Sequence, residues 1–312
     1  MGLRMYLAAA LAAAPLAQGH FAFVRVALNG EWQAPFRFIR NKTSPFLEDY
    51  TPDSDINVRA YIDPTYATDK PDSVRCGRGN MDHAAATDVL VVHAGDTIEV
   101  AHVRDNPEDL GIVVWDGCPY ERGSCVRYKG QDQLDIMDIN HPGPFLAHLS
   151  KVPEGQDVHT YDGSGDWVKI YTLGLERQDV PNYPYHFLAW NGPYYQNGEY
   201  AYRLPGRFLF NLPKETPAGQ YLLRLDMANP GRVNVTNAQI YATCAQIEVV
   251  GDAGNGTLPK GIRIPEDMTD DSPGMSMSRS MNNGQSVDAD YVYAGGPLWD
   301  GVNYVQDKPE LD

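Results

Sequence analysis

Short apolar runs that alternate at period two, parted by clusters of Gly, Pro, Asn and Asp, recur along this chain, while long amphipathic helical patterns are scarce. A run of that kind buries one face only, so several of them must pair into sheets that cover one another. Asp88–Val103 reads as two strands around the turn Ala94-Gly95-Asp96, with Thr97-Ile98-Glu99-Val100 alternating. Similar runs lie at Trp167–Thr172, Phe208–Leu212, Tyr221–Met227 and Ala238–Val250. The pattern predicts an all-β sandwich or barrel. It places one domain over residues 20–250, with an extended segment, 251–312, packing on it rather than forming a separate binding module. Two connections, 104–140 and 176–205, are long for a sandwich, and loops of that length more often carry function than not.

Residues 1–19 read as a secretory signal, with Arg4, an apolar run from Met5 to Leu16, and small residues in Ala17-Gln18-Gly19. The run is too short to span a bilayer. Cleavage after Gly19 leaves 293 residues that begin with His20 and are secreted to the extracellular space. In that oxidising compartment the four Cys predict two disulfides, and Asn41, Asn234 and Asn255 stand in Asn-x-Ser/Thr glycosylation acceptors. The formal charge of −16 argues against nucleic acid or anionic membrane as partners and leaves a neutral polymer unopposed. A monomer is expected.

A His at a chain end can hold a metal through both its α-amino nitrogen and its imidazole, because the free amine has a pKa of about 7.7–8.0 and yields its proton to a bound cation. One further imidazole would complete a three-nitrogen set suited to Cu(II). Of the other seven His, His83, His93, His102, His148, His159 and His186 show no zinc-motif spacing and read as surface or packed residues. His141 precedes Pro142-Gly143-Pro144, a rigid turn that would hold its ring at a loop-to-strand junction. In the run Gln239-Ile240-Tyr241-Ala242-Thr243-Cys244, a regular strand would put Gln239 and Tyr241 on one face and Cys244 on the other. By β-propensity alone Tyr241 is a packing residue.

Taken in order, these pieces resemble a fungal lytic polysaccharide monooxygenase of auxiliary activity family nine. They are His20, Val74-Arg75-Cys76, Ala94-Gly95-Asp96-Thr97, His141-Pro142-Gly143-Pro144 and Trp167-Val168-Lys169-Ile170, then Pro217–Arg224 and Gln239-x-Tyr241-x-x-Cys244-Ala245-Gln246, with Ile264-Pro265 and Gly296-Pro297-Leu298-Trp299 near the end. The resemblance implies an immunoglobulin-like or fibronectin III-like β-sandwich with long loops and one copper ion per chain. His20 and His141 would form a histidine brace, Tyr241 would be axial, and Gln239 would orient the oxygen species from outside the ligand set. It also implies a Cys76–Cys244 disulfide, which would stabilise the fold by about 4–5 kcal/mol in the chain-entropy model. The implied reaction is reduction of copper by an external electron donor, activation of O2 or H2O2, and hydrogen abstraction at C1 or C4 of a β-glucan such as cellulose.

Two stretches depart from the family. After the acidic residue, here Asp226, the family usually carries Ala-Leu-His; here the run is Met227-Ala228-Asn229-Pro230-Gly231-Arg232, with no His. The segment between Val103 and His141 is long and carries Cys118 and Cys125, close enough in sequence for a local disulfide. Two readings therefore stand: an oxidative polysaccharide-cleaving enzyme, and a secreted copper-binding sandwich with little or no polysaccharide oxidation. Exposed aromatic rings would bind a flat glucan, with candidates among Tyr183–Tyr202 and in Tyr291, Tyr293 and Tyr304, most of which should pack loops instead. Met275, Met277 and Met281 are expected on a mobile tail.

Overall fold

The computed structural model describes residues 20–42, 62–103, 141–179, 208–234, 237–251, 257–282 and 285–309, together with the backbone of short strands within 113–136 and 186–200. Two sheets dominate. One holds four antiparallel strands in the order Phe208–Asn211, Thr97–Val103, Ala22–Leu28 and Glu31–Trp32. The other runs Tyr304–Val305, Leu298–Trp299, Val168–Leu173, Phe145–Lys151, Gly219–Asn229, Thr243–Val250 and Leu90–His93, and Gln239–Ile240 adds to the end of Gly219–Asn229. Among the described residues no helix is long and apolar enough to cross a membrane.

Alternation explains the layering. Along the central strand Gly219–Asn229, Tyr221, Leu223, Leu225 and Met227 enter the core between the sheets, where they meet Phe21, Phe23, Phe145, Phe208 and Ile247. Leu222 and Ala228 face the other way, into a second apolar layer formed with Val74, Cys76, Trp167, Ile264, Met268 and Met275. The larger sheet is thus buried on both faces, and its outer cover is the short helix Pro71–Cys76 and the C-terminal segment. The architecture is an immunoglobulin-like β-sandwich with long connections.

Three expectations need adjusting. The run Ala238–Val250 is broken into Gln239–Ile240 and Thr243–Val250, both pairing with Gly219–Asn229, because Tyr241 and Ala242 between them leave the ladder. Met275, Met277 and Met281, expected on a mobile tail, are fully buried; Met277 and Met281 pack with Leu175, Tyr291 and Tyr293. The strands Ala22–Leu28 and Phe145–Lys151 escape the period-two reading, because nearly every residue in each is buried.

Cys76 and Cys244 are joined by a disulfide with their Cα atoms 5.0 Å apart, tying the covering helix to the larger sheet. Arg224 reinforces the same junction: its guanidinium donates to the carbonyls of Arg75 and Val74 and pairs at 2.7 Å with Asp226, both side chains wholly buried. Cys118 and the side chain of Cys125 lie outside the described residues, as does Asn255. Asn234 is exposed in a turn with φ +60, and Asn41 is half-buried.

Candidate metal centre

Three rings converge at one end of the sandwich, each delivered by a different part of the fold. His20 directly precedes the strand Ala22–Leu28, with Phe21 anchored in the core between them. His141 lies on the turn that leads into Phe145–Lys151. That turn is clamped to the central strand: a Cβ at Gly143, whose φ is +140, would collide with the Ala228 carbonyl, and Ala228 N–H donates to Pro144 O. Tyr241 sits in the break between Gln239–Ile240 and Thr243–Val250, its N–H donating to Met227 O and its ring stacked on Phe21 at 4.7 Å. The His20 and His141 ring centroids are 5.7 Å apart, and Tyr241 stands 5.9 Å from the first and 5.4 Å from the second.

Two imidazoles that share an ion at N–metal distances of about 2.0–2.1 Å can have centroids up to roughly 6.4 Å apart, so the observed spacing admits one. His141 Nε2 is buried and has no hydrogen-bond partner, an arrangement that costs free energy unless a cation or other group completes it. Burial, followed by the nearby His20, pushes the His141 imidazole down to about 4, so the ring stays neutral, with one nitrogen lone pair free to bind a cation, at mildly acid pH. His20 Nδ1 donates instead to Asp63 Oδ1 at 2.7 Å, and a cation binding there would displace that proton. Tyr241 donates its O–H to Gln239 Oε1 at 3.0 Å, leaving the phenol oxygen's lone pairs for other use. Burial, with Tyr66 and Asp63 adding to it, raises the Tyr241 hydroxyl well above its ordinary value and holds it protonated.

Among the described residues no set of three His, Cys, Asp or Glu side chains is arranged to hold a metal. Two imidazoles are on hand, those of His20 and His141. The donors present are nitrogen-rich, which suits copper rather than calcium or magnesium.

Sequence reasoning singled out His20, His141, Tyr241 and Gln239, and the fold brings these four together. It overlooked Asp63 and Asn229. Asp63 is placed by the segment around Thr65, whose N–H and hydroxyl both donate to Ile240 O while Ile240 N–H returns a bond to Thr65 O. Asn229 pairs in register with Gln239, and its Nδ2 donates to Gln239 Oε1 at 2.9 Å. Neither residue type carries a signal of its own; only the strand register could have found Asn229. The other described His residues stay away from the centre. His102 is buried edge-on against Phe21 and Phe208, His148 donates to Gly295 O inside the second apolar layer, and His159 pairs with Asp157. Arg232 belongs to a two-residue strand that pairs with Ser276–Met277 of the C-terminal segment. Beneath the centre, the Lys42 ammonium is pushed down to about 8 by burial and by Arg78, with Asp63 and Asp226 pulling the other way.

Comparison with known proteins places the chain in one family. The description of Auxiliary Activity family 9 (formerly GH61) matches residues 20–291. The chain is 27% identical over 276 residues to the AA9 family lytic polysaccharide monooxygenase D of Emericella nidulans, covering 88% of this chain and 77% of that one. It is 26% identical over 308 residues to monooxygenase U of Thermothielavioides terrestris, covering 96% and 100%. Among solved structures, CvAA9A superposes with a TM-score of 0.56 at 18% identity, over 91% of this chain and all of that one. A cellulose-active polysaccharide monooxygenase from M. thermophila superposes with a TM-score of 0.52 at 21% identity, over 90% and 99%.

Proposed function

The chain belongs to Auxiliary Activity family 9, whose members are copper-dependent oxidoreductases acting on polysaccharide, and we propose that it cleaves a β-linked glucan oxidatively at a copper ion held by His20 and His141. The observation that carries this reading is the buried, partnerless Nε2 of His141 within ring contact of His20 and Tyr241. Removal of residues 1–19 would turn the backbone nitrogen of His20 into a free amine and supply the third nitrogen of a histidine brace. The match to the family begins at residue 20, which supports that cut. On this reading the mature protein is a secreted, glycosylated monomer.

Copper bound there would supply the one-electron chemistry that activates O2 or H2O2 with electrons from an external donor. The chain's own groups do the rest. His20 and His141 would hold the ion between two rigid attachments, the N-terminal strand and the Gly143 turn. Tyr241 would turn a neutral oxygen toward the ion, kept protonated by burial, with Tyr66 and Asp63 adding to it, while its O–H donates to Gln239. Asp63 holds the His20 ring in place before metal enters. Gln239 offers amide N–H groups beside the centre.

A second reading, copper binding with little oxidation, is favoured by one observation: no His follows Asp226 where the family has one. Copper-loaded mature protein incubated with cellulose, a reductant and peroxide separates the two. Aldonic acids or 4-keto sugars by mass spectrometry support cleavage. Tight Cu(II) binding without oxidised products selects the second reading, and products free of oxidation point to a hydrolase.

A further inference from the structure

We propose that Asn229 takes over the outer-shell role that the missing His leaves vacant, as the positioning residue that fixes the amide of Gln239; the inference rests on the copper reading above. Two donors converge on one oxygen. Asn229 Nδ2 reaches Gln239 Oε1 at 2.9 Å and the Tyr241 hydroxyl reaches the same atom at 3.0 Å. The Gln239 amide then has its acceptor occupied on one side, and its two N–H donors have no other partner among the described residues.

A cation at the centre sets the polarity of this chain of bonds. A phenol oxygen that turns a lone pair to a cation must point its O–H away, and the acceptor waiting there is Gln239 Oε1. If the Gln239 amide were rotated by half a turn, its N–H groups would face that O–H, donor against donor, whichever way the Asn229 amide turned. With the Tyr241 O–H so directed, Gln239 Oε1 is the acceptor, and Asn229 Nδ2 donates to the same oxygen and anchors the amide from its other side, leaving the Gln239 N–H donors for the oxygen co-substrate. Register, rather than a long flexible side chain, delivers this contact. Asn229 and Gln239 are direct partners across the antiparallel pair, next to the point where Pro230 ends the strand and Arg232 is drawn off to pair with Met277.

The test compares the copper-loaded wild type with N229D and N229L. The first keeps the shape but can only accept; the second keeps the size and does neither. Because no metal ligand is touched, Cu(II) affinity by calorimetry should stay within about threefold of wild type in both. The Cu(II) electron paramagnetic resonance spectrum should shift in both, and reoxidation of the reduced protein by peroxide should slow by about tenfold or more, the lower end of what outer-shell losses cost. Side-chain amide signals of Gln239 in the metal-free protein should move in N229D. Folded variants with wild-type spectra and rates would overturn the role of Asn229 while leaving the copper site intact. A wild type that binds no copper would overturn the reading of the site and this role with it.

Discussion

At the scale of single residues, the centre depends on nitrogen atoms that the fold leaves without other work. His141 is the clearest case, since its Nε2 is shut away from water and unpaired. H141A should reduce Cu(II) affinity by more than about 100-fold, because even partners outside the ligand set cost 10–100-fold when lost; calorimetry reads this directly. Y241F should bind copper nearly as well but free Gln239 from one of its two donors, and its spectrum should shift in the same sense as that of N229D. How much of the site the sequence disclosed follows from the chemistry of each residue. His141, Gln239 and Tyr241 could be found because their motifs, taken in order with the rest, resemble a family's; the Pro142-Gly143-Pro144 turn and β-propensity alone mark His141 and Tyr241 as structural residues. Asp63 and Asn229 could not, since Asp and Asn are common in loops and strand ends, and their partners lie 43 and 10 residues away in sequence.

Among the elements, the turn 141–144 and the central strand matter most. G143A would force a side chain into the Ala228 carbonyl at a backbone angle that only glycine adopts comfortably, and it should destabilise the protein by about 1–3 kcal/mol in urea unfolding. The same variant should weaken copper binding, because the strain is relieved by moving the turn that carries His141. His148, on the strand that follows this turn, is fully buried, and its imidazole is held well below the ordinary value by burial and by Arg224 and Lys169. The folded protein thus refuses a proton that the unfolded chain accepts below about pH 6.5, so acidification from there lowers stability by up to about 1.4 kcal/mol per pH unit from this group. H148Q should flatten that part of the pH dependence when urea unfolding is repeated between pH 6.5 and 5. The strands that sequence missed, Ala22–Leu28 and Phe145–Lys151, were hidden by the same burial. A strand covered on both faces has no alternation to read.

For the whole molecule, three layers explain why the C-terminal segment is spent on packing. It supplies Ile264, Met268 and Met275 to the outer face of the larger sheet, and its Asp307 pairs at 2.7 Å with the buried Lys169. Packing of this segment is expected from its sequence, but Met275, Met277 and Met281 read as mobile because the apolar positions are spaced irregularly along a chain without long strands. The Cys76–Cys244 bridge closes a loop of 168 residues, and replacing both by Ser should cost about 5 kcal/mol by the chain-entropy relation, measured by urea unfolding.

The account as a whole turns on the free amine of His20. The most direct test is calorimetric titration of Cu(II) into two forms of the secreted protein, one beginning at His20 and one retaining Gly19 before it. The form beginning at His20 should bind one copper ion tightly, and the extended form should bind at least about 100-fold more weakly, since an amide nitrogen replaces the amine donor. Equal affinity in the two forms would contradict the account.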